Sequence, residues 1–291
     1  MHGIGGILPA TITPFDAEGR FAREPFEQLL ARAYEAGVHG VYVCGTTGEG
    51  LLMRVDERQA VAEAAVACTP PGRTVVVHVG AAAFDDVRAL ARHAAHVGAS
   101  AISSLPPSGP GFGFAESYRY YEALAALSDL PVVVYYFPDV YPGITTLGQL
   151  EDLCALPNVV GVKFTDFDLC TLSGIASPSR VVYNGRDEVL AAGLLMGAHG
   201  GIGSFYNLMP ERFVSIFEHA QRGQWDAART LQDEVNLLIR ATLRFPLFPA
   251  IKQVLTWQGI PCGECLQPRA PLTTEQREGL AHVWGITTAS S

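Results

Sequence analysis

The sequence has little charge, and nothing in it resembles a targeting or membrane segment. Charged residues make up 17% of the 291 residues, and the formal net charge is −9. An acidic surface disfavours nucleic acid and anionic membranes as partners. The start, Met1–Ile4, lacks the basic and apolar regions of a signal peptide, and no apolar run is long enough to span a bilayer. We therefore expect neither secretion nor membrane insertion.

Cysteine is also scarce, and its six copies are scattered, mostly within apolar segments. Cys262 and Cys265 have the spacing of metal ligands, but no second pair accompanies them, so a zinc site is not expected. Scattered cysteines are typical of a reduced compartment. We expect a cytoplasmic protein that holds no metal.

Two catalytic signatures are missing as well. No G-x-S-x-G segment is present, which gives a serine hydrolase no support. No glycine-rich G-x-G-x-x-G turn joins a strand to a helix, which disfavours a dinucleotide-binding fold. Gly109–Gly113 follows an apolar segment, but its proline predicts a loop.

What the sequence does have is a regular alternation of short apolar segments with amphipathic ones. Eight segments are rich in Val, Ile or Tyr, or are bounded by Gly and Pro, and are predicted strands: Gly6–Phe15, Gly40–Gly45, Thr74–Gly80, Ala101–Leu105, Pro131–Phe137, Val159–Thr165, Arg180–Tyr183 and Gly200–Ser204. Segments with apolar residues at helical spacing lie between them: Glu24–Ala36, Val55–Ala67, Asp85–His96, Ala115–Leu127, Thr146–Ala155 and Asp187–Met196. Asp85 and Thr146 are predicted caps, and Gly37, Gly98 and Gly197 are predicted to end helices in a left-handed conformation.

This alternation predicts parallel βαβ units, and eight of them close a (β/α)8 barrel, the TIM barrel of the α/β class. An open doubly wound sheet is the competing topology. After Ser204 the pattern becomes purely helical, over Pro210–Arg222, Trp225–Phe245, Pro249–Gln258 and Thr274–His282. The sequence thus predicts a barrel over residues 1–208 and a C-terminal helical extension over residues 209–291, packed on the barrel as one structural unit.

One lysine stands inside a predicted buried strand, in the run Val159–Thr165. Burial of an ammonium is costly and lowers the pKa of a lysine. A neutral amine is a nucleophile that can condense with a ketone to a Schiff base. The alternative is that Lys163 extends its ammonium to water from the end of the strand.

Polar residues gather where the other strands end, and barrel enzymes act at the carboxyl ends of their strands. These residues are Thr46, Thr47, Tyr135, Thr165, Gly185, Asp187, Glu188, Gly203 and Ser204. Each has a simpler explanation: Tyr135 can be a core aromatic, Asp187 and Glu188 a helix first turn, and Ser204 a cap. Their shared position favours a site.

These residues carry a resemblance to a known family. Gly45–Glu49, Tyr135, Gly161–Lys163 and Gly203–Ser204 resemble the motifs of the dihydrodipicolinate synthase and N-acetylneuraminate lyase superfamily. The resemblance implies a (β/α)8 barrel with a helical extension, usually a tetramer, that acts as a class I, pyruvate-dependent aldolase without metal or external cofactor. Val182–Glu188 and Gly200–Asn207 are most similar to the N-acetylneuraminate lyase branch.

The resemblance implies a role for each residue. Lys163 would form the Schiff base, Tyr135 would move the proton, and Thr46 and Thr47 would hold the carboxylate of a 2-oxo acid such as pyruvate. A further set would bind the sugar or aldehyde part: Thr165, Gly185, Asp187, Glu188 and Ser204. Gly203 would let the backbone approach the pyruvyl end. The implied reaction is cleavage of N-acetylneuraminate, or a similar sugar acid, to pyruvate and N-acetylmannosamine.

The chain also departs from the family pattern. Pro106–Phe112 contains no tyrosine, although this loop often supplies one to the neighbouring subunit. Asp139–Gly143 is one residue longer than usual and has no arginine, which disfavours dihydrodipicolinate synthesis. Arg186 occupies a variable position of the sugar-binding motif. The alternatives are a 2-keto-3-deoxy sugar acid aldolase or dehydratase, and a non-catalytic barrel that binds a keto acid.

Overall fold

A computed structural model describes residues 4–286 of the chain. Eight strands are present in this part: β1 Gly6–Pro9, β2 Gly40–Val43, β3 Thr74–His78, β4 Ala101–Ser104, β5 Val132–Tyr136, β6 Val159–Phe164, β7 Val181–Asn184 and β8 Gly200–Gly203. The helices are α1 Arg23–Glu35, α2 Val55–Cys68, α3 Phe84–Val97, α4 Phe114–Ala125, α5 Leu147–Cys154, α6 Leu169–Ile175, α7 Leu190–Leu195, α8 Pro210–Gln221, α9 Trp225–Thr242, α10 Leu247–Trp257 and α11 Thr274–Val283. None of the helices within residues 4–286 is both long and apolar enough to cross a membrane.

The strands form one parallel sheet in the order β1-β8-β7-β6-β5-β4-β3-β2. Strand β1 pairs with β8, with Gly6 opposite Gly200. Its contact with β2 is a single bridge between Ala10 and Tyr42, supported by a 2.9 Å hydrogen bond from the Thr11 amide to the Tyr42 carbonyl. The predicted (β/α)8 barrel is therefore confirmed, as a nearly closed barrel followed by helices α8–α11.

Apolar side chains fill the inside of the barrel. Strand residues that point inward, such as Leu8, Val76, Val133 and Ile202, form a buried cluster inside the barrel. Residues on the other face, such as Val134, pack against the surrounding helices. Parallel strands covered on both faces are expected to be apolar throughout, which is the pattern seen in the sequence.

The extension packs against the barrel at strand β1 and at the loop after β7. Ile251 and Val254 of α10 are buried in a cluster that also contains Ile7 of β1. Helix α9 reaches the loop after β7, where the side-chain amides of Gln232 and Asn236 donate to the carbonyls of Asp187 and Glu188, at 3.0 and 2.9 Å. The prediction that barrel and extension form one structural unit stays a prediction.

The structure corrects several predicted boundaries. β1 ends at Pro9 rather than Phe15, because the chain beyond the bridge at Ala10 turns into a loop. Residues Asp187–Val189 form a short 3-10 turn, and helix α7 begins only at Leu190. The predicted cap Asp85 lies inside α3, which begins one residue earlier. Thr146 does cap α5, by accepting a hydrogen bond from the amide of Gln149.

The predicted helix-ending glycines are left-handed, as expected. Gly37, Gly98 and Gly197 have φ angles of +90°, +87° and +103°. Helix α6, which the sequence pattern did not reveal, is only seven residues long. Its start is capped by the Asp168 carboxylate, which accepts from the amides of Cys170 and Thr171.

Candidate active site

A cavity of about 160 Å³ opens at the carboxyl ends of the strands. Ten residues proposed from the sequence line this one cavity: Thr46, Thr47, Tyr135, Lys163, Thr165, Gly185, Asp187, Glu188, Gly203 and Ser204. They come from the ends of β2, β5, β6, β7 and β8. Because parallel strands all end at the same rim, residues far apart in sequence meet there.

Lys163 is buried in this cavity and is only 4% exposed. Its Nζ lies 3.8 Å from the ring centre of Tyr135 and 4.4 Å from that of Tyr42. No carboxylate of residues 4–286 forms an ion pair with it, whereas the other lysine of the chain, Lys252, is paired with Glu49 at 3.0 Å. The alternative in which Lys163 reaches water from its strand end is therefore wrong.

Tyr135 is held beside Lys163 by the sheet itself. The two residues are register partners on the neighbouring strands β5 and β6, so their side chains point to the same face. The Tyr135 ring stacks on Phe137, with centroids 6.1 Å apart, and meets the edges of Tyr42 and His78. Aromatic packing on three sides leaves the phenol a defined position in the cavity.

The loop after β2 presents two hydroxyls. The Oγ1 of Thr47 is hydrogen-bonded to the Oγ of Ser204, 2.6 Å away. The Oγ1 of Thr46 is buried and has no hydrogen-bond partner in the described part of the chain. A buried hydroxyl without a partner is costly, so a ligand oxygen at this position would be stabilising. Ser204 accordingly lies at the same end of the cavity as the two threonines.

Two glycines of the site are required by close approach. A Cβ on Gly185 would overlap the Oγ1 of Thr165, and a Cβ on Gly203 would overlap the Oδ1 of Asp187. Thr165 Oγ1 is also buried without a partner among residues 4–286. Glycine at these two positions thus lets polar side chains reach the cavity wall.

Asp187 is a buried carboxyl at the floor of the cavity. Burial raises its pKa from 3.8 to about 7, the charge of Glu188 adds to the rise, and a hydrogen bond from the Phe205 amide opposes it. That amide donates to Oδ2 at 2.8 Å. A carboxyl that titrates near neutrality beside a reactive amine is typical of functional sites.

Arg186 lies at the wall of the cavity and is held on several sides. Its guanidinium forms an ion pair with Asp139 and stands 5.3 Å from the Phe137 ring centre and 4.5 Å from that of Phe167. Its Nε is buried and has no partner in the described residues. An arginine held between aromatic rings presents its remaining N–H groups in a defined direction.

Sequence reasoning did not identify every residue of the site. Tyr42, whose ring contacts Lys163, lies in the middle of β2, and only its inward orientation in the barrel reveals it. Helix α10 and the turn before it add Leu243, Leu247 and Phe248 to the cavity wall. No motif in the sequence marks these three residues, because they are ordinary apolar residues of an amphipathic segment.

A second, adjoining cavity of about 360 Å³ shares Thr46 and Phe137 with the first. Tyr141, from the segment that is longer than usual, lines it together with Val140. The loop Pro106–Phe112 lines neither of these two cavities but a third one. Tyr141 lines this third cavity as well.

Known proteins resemble the chain over nearly its full length. The model of the dihydrodipicolinate synthetase family matches residues 3–285. An N-acetylneuraminate lyase of Rhizobium meliloti (strain 1021) is 37% identical over 265 residues, which are 90% of this chain and 88% of that protein. One of Enterobacter sp. (strain 638) is 34% identical over 271 residues, 92% of this chain and 91% of that protein.

Solved structures agree with these sequence relatives. The wild-type sialic acid aldolase of Ruminococcus gnavus superposes with a TM-score of 0.92 at 28% identity, over 97% of this chain and 96% of that chain. CdNal from Clostridium difficile, in complex with mannosamine, also gives 0.92 at 28% identity, over 97% and 98% of the two chains. With its barrel, its buried lysine and these relatives, the chain belongs to the dihydrodipicolinate synthetase family of class I lyases.

Proposed function

We propose that this enzyme cleaves N-acetylneuraminate, or a similar sugar acid, to pyruvate and N-acetylmannosamine through a Schiff base on Lys163. The observation that carries the proposal is the buried amine, which lies between two tyrosine rings and without a carboxylate partner among residues 4–286. The relatives named N-acetylneuraminate lyase support the choice of substrate. A catalytic lysine mutant of the Ruminococcus gnavus sialic acid aldolase is among the solved structures similar to this chain, which supports lysine as the residue that forms the Schiff base.

The first steps form the covalent intermediate. The amine of Lys163 attacks the C2 carbonyl of the 2-oxo acid in its unprotonated form, and the resulting carbinolamine takes up a proton from solvent and loses water to give a protonated imine. The unpartnered Thr46 hydroxyl and the Thr47–Ser204 pair lie where the C1 carboxylate would be held.

The next steps break the C3–C4 bond and release the two products. Tyr135 takes the proton of the C4 hydroxyl while it passes its own phenol proton to the substrate carboxylate, the C3–C4 bond breaks, and its electron pair flows into the imine to give an enamine and a free aldehyde. The proton taken from the C4 hydroxyl returns through Tyr135 to C3 of the enamine, and water hydrolyses the protonated imine to release pyruvate and a proton to solvent and to restore the amine. Thr165, Gly185, Asp187, Glu188 and Gly203 line the cavity where the sugar part and the pyruvyl end would lie.

These steps use only side chains and water, so the proposal includes no metal and no external cofactor. It also includes a homotetramer, as the family resemblance implies, and a cytoplasmic location, as the scattered cysteines indicate.

Borohydride reduction with pyruvate tests the covalent step. Because the chain contains two lysines, digestion and mass spectrometry can assign the adduct without ambiguity. We expect modification of Lys163 and none of Lys252, which serves as an internal control inside the same molecule. An enzyme that turns over substrate while Lys163 stays unmodified would end the proposal. Replacing Lys163 by Met should abolish both trapping and turnover.

Two further measurements separate this function from its alternatives. Tyr135→Phe should reduce turnover by about 100-fold or more, as loss of an acid–base group does, while pyruvate trapping continues. A panel of sugar acids scored by pyruvate release identifies the substrate. A product that keeps the whole carbon chain would indicate a dehydratase, and pyruvate binding without any turnover would indicate a non-catalytic barrel.

A further inference from the structure

A buried ion pair joins the helical extension to the loop that carries the threonines. The Glu49 side chain is fully buried and that of Lys252 is 2% exposed, with Nζ 3.0 Å from Oε1. The other oxygen, Oε2, accepts from the Leu266 amide at 2.9 Å and lies 3.5 Å from the Nε of Arg269. Both acidic oxygens of Glu49 are thus engaged by residues of the extension.

Lys252 is itself held in place by further contacts. Its Nζ donates to the Glu264 carbonyl at 2.9 Å and stands 4.1 Å from the ring centre of Phe15, in the loop after β1. Both lysines lie against aromatic rings, but Lys252 also has a carboxylate and a carbonyl beside its Nζ. The chain's two buried lysines therefore differ in their electrostatic settings.

Other contacts, besides those of the Glu49 carboxylate, also restrict the loop between Gly45 and Gly50. Glu49 is left-handed, with φ +57°, and a Cβ on Gly50 would overlap the Cys44 carbonyl. The Thr13 hydroxyl donates to the Gly48 carbonyl at 2.8 Å. A strained residue persists only where its surroundings hold it, so the contacts of the Glu49 carboxylate contribute to holding the loop in this path.

From these contacts we propose that Lys252 and Glu49 are positioning residues, which act through the loop backbone to aim the Thr46 and Thr47 hydroxyls at the substrate carboxylate. The inference rests on the proposed function. A buried ion pair contributes little net stability compared with an apolar pair, but it holds its members in one geometry. Through this ion pair, the extension contributes to the geometry of the end of the site that binds the substrate carboxylate.

The test exchanges the pair for one without charge. The double variant Glu49→Gln/Lys252→Met removes both charges, so neither is left buried and alone. Half-saturation of borohydride trapping by pyruvate should rise by about 10-fold, which corresponds to ~1.4 kcal/mol. The trapping rate at saturating pyruvate, which reports on Lys163, should change less than 3-fold by comparison. The single variant Lys252→Arg, which keeps the charge beside Glu49, should retain most of the affinity for pyruvate.

A surface pair of the same extension provides the matched control. Arg229 and Asp233 of α9 are 3.8 Å apart and are both well exposed, and Arg229→Met/Asp233→Asn should leave both trapping parameters unchanged. Unchanged half-saturation in the buried-pair variant would overturn the inference, as would an equal loss in the saturated rate. If that variant does not fold by circular dichroism, Arg269→Met must raise the half-saturation by itself, and an unaltered value overturns the inference. Absence of trapping in the wild-type protein would instead refute the proposed function.

Discussion

The hydroxyls of Thr47 and Ser204 are hydrogen-bonded at 2.6 Å, although they belong to the loops after β2 and β8. The two strands lie on either side of β1, and their loops converge over the cavity. A paired hydroxyl can still accept or donate to a second group, so the pair forms a fixed edge for a ligand carboxylate.

Replacing Ser204 by Ala should weaken binding of the 2-oxo acid without blocking chemistry. Loss of one neutral hydrogen bond costs about 0.5–1.5 kcal/mol, so the half-saturation by pyruvate should rise roughly 2- to 10-fold. Steady-state kinetics and trapping measure the change. Ser179→Ala is the control, since Ser177 and Ser179 form an exposed hydroxyl pair at 3.2 Å and neither residue lines the cavity. A larger effect on kcat than on KM would contradict this role.

Gly203→Ala should damage both folding and activity. The new methyl would overlap the Asp187 carboxyl, and overpacking of this kind costs about 1–3 kcal/mol. Thermal denaturation should show a lower Tm, and kcat/KM should fall because Asp187 is displaced. Gly148→Ala in α5 is the control, because a Cβ there meets no atom within 4 Å and alanine favours a helix. Equal Tm values for the two variants would refute this reading of the contact.

The raised pKa of Asp187 predicts a stability that depends on pH. Between its ordinary pKa of 3.8 and its folded value of about 7, the folded protein holds a proton that the unfolded chain has lost. The stabilisation from this group is therefore greatest below about pH 4, declines as the pH rises to about 7, and is constant above that.

Asp187→Asn should remove this dependence, because the amide is neutral at every pH. Relative to the wild type, the variant should gain free energy of unfolding between pH 5 and pH 8, by at most a few kcal/mol at about 1.4 kcal/mol for each pKa unit. Urea denaturation at the two pH values measures it. Asp129→Asn, at an exposed position, should show no such gain. A difference between variant and wild type that stays constant with pH would contradict the prediction.

Arg186→Met should change the choice of substrate rather than the covalent step. Its guanidinium lines the cavity and keeps a buried Nε without a partner in the described chain, so a substrate oxygen can accept from it. Hydrogen bonds to charged groups contribute about 1.5–3 kcal/mol, so kcat/KM for the preferred sugar acid should fall by roughly 10-fold or more. Pyruvate trapping should be unaffected. An equal loss for every sugar acid and for pyruvate would contradict the role of Arg186 in binding the sugar part of the substrate.

The alternation of apolar and amphipathic segments was enough to predict the barrel and the position of each strand. Parallel strands covered on both faces are recognisable from local composition, and their number implies closure. The predicted strand ends were less accurate. Strand β1 was predicted to reach Phe15 but ends at Pro9, because the sequence pattern cannot show where the neighbouring strand stops pairing. Helix α6 escaped prediction because seven residues hold too few helical turns to give a period.

The sequence by itself determined which residue types would meet, since all strand ends of a parallel barrel face the same rim. Only the tertiary structure decided how they are held. Tyr42 against Lys163, and Lys252 with Glu49, are contacts between residues far apart in the chain, and no local pattern encodes them. Whether a buried lysine is ion-paired, as Lys252 is, or lies without a carboxylate partner among residues 4–286, as Lys163 does, depends on which groups the fold brings to it, and that is a property of three-dimensional packing.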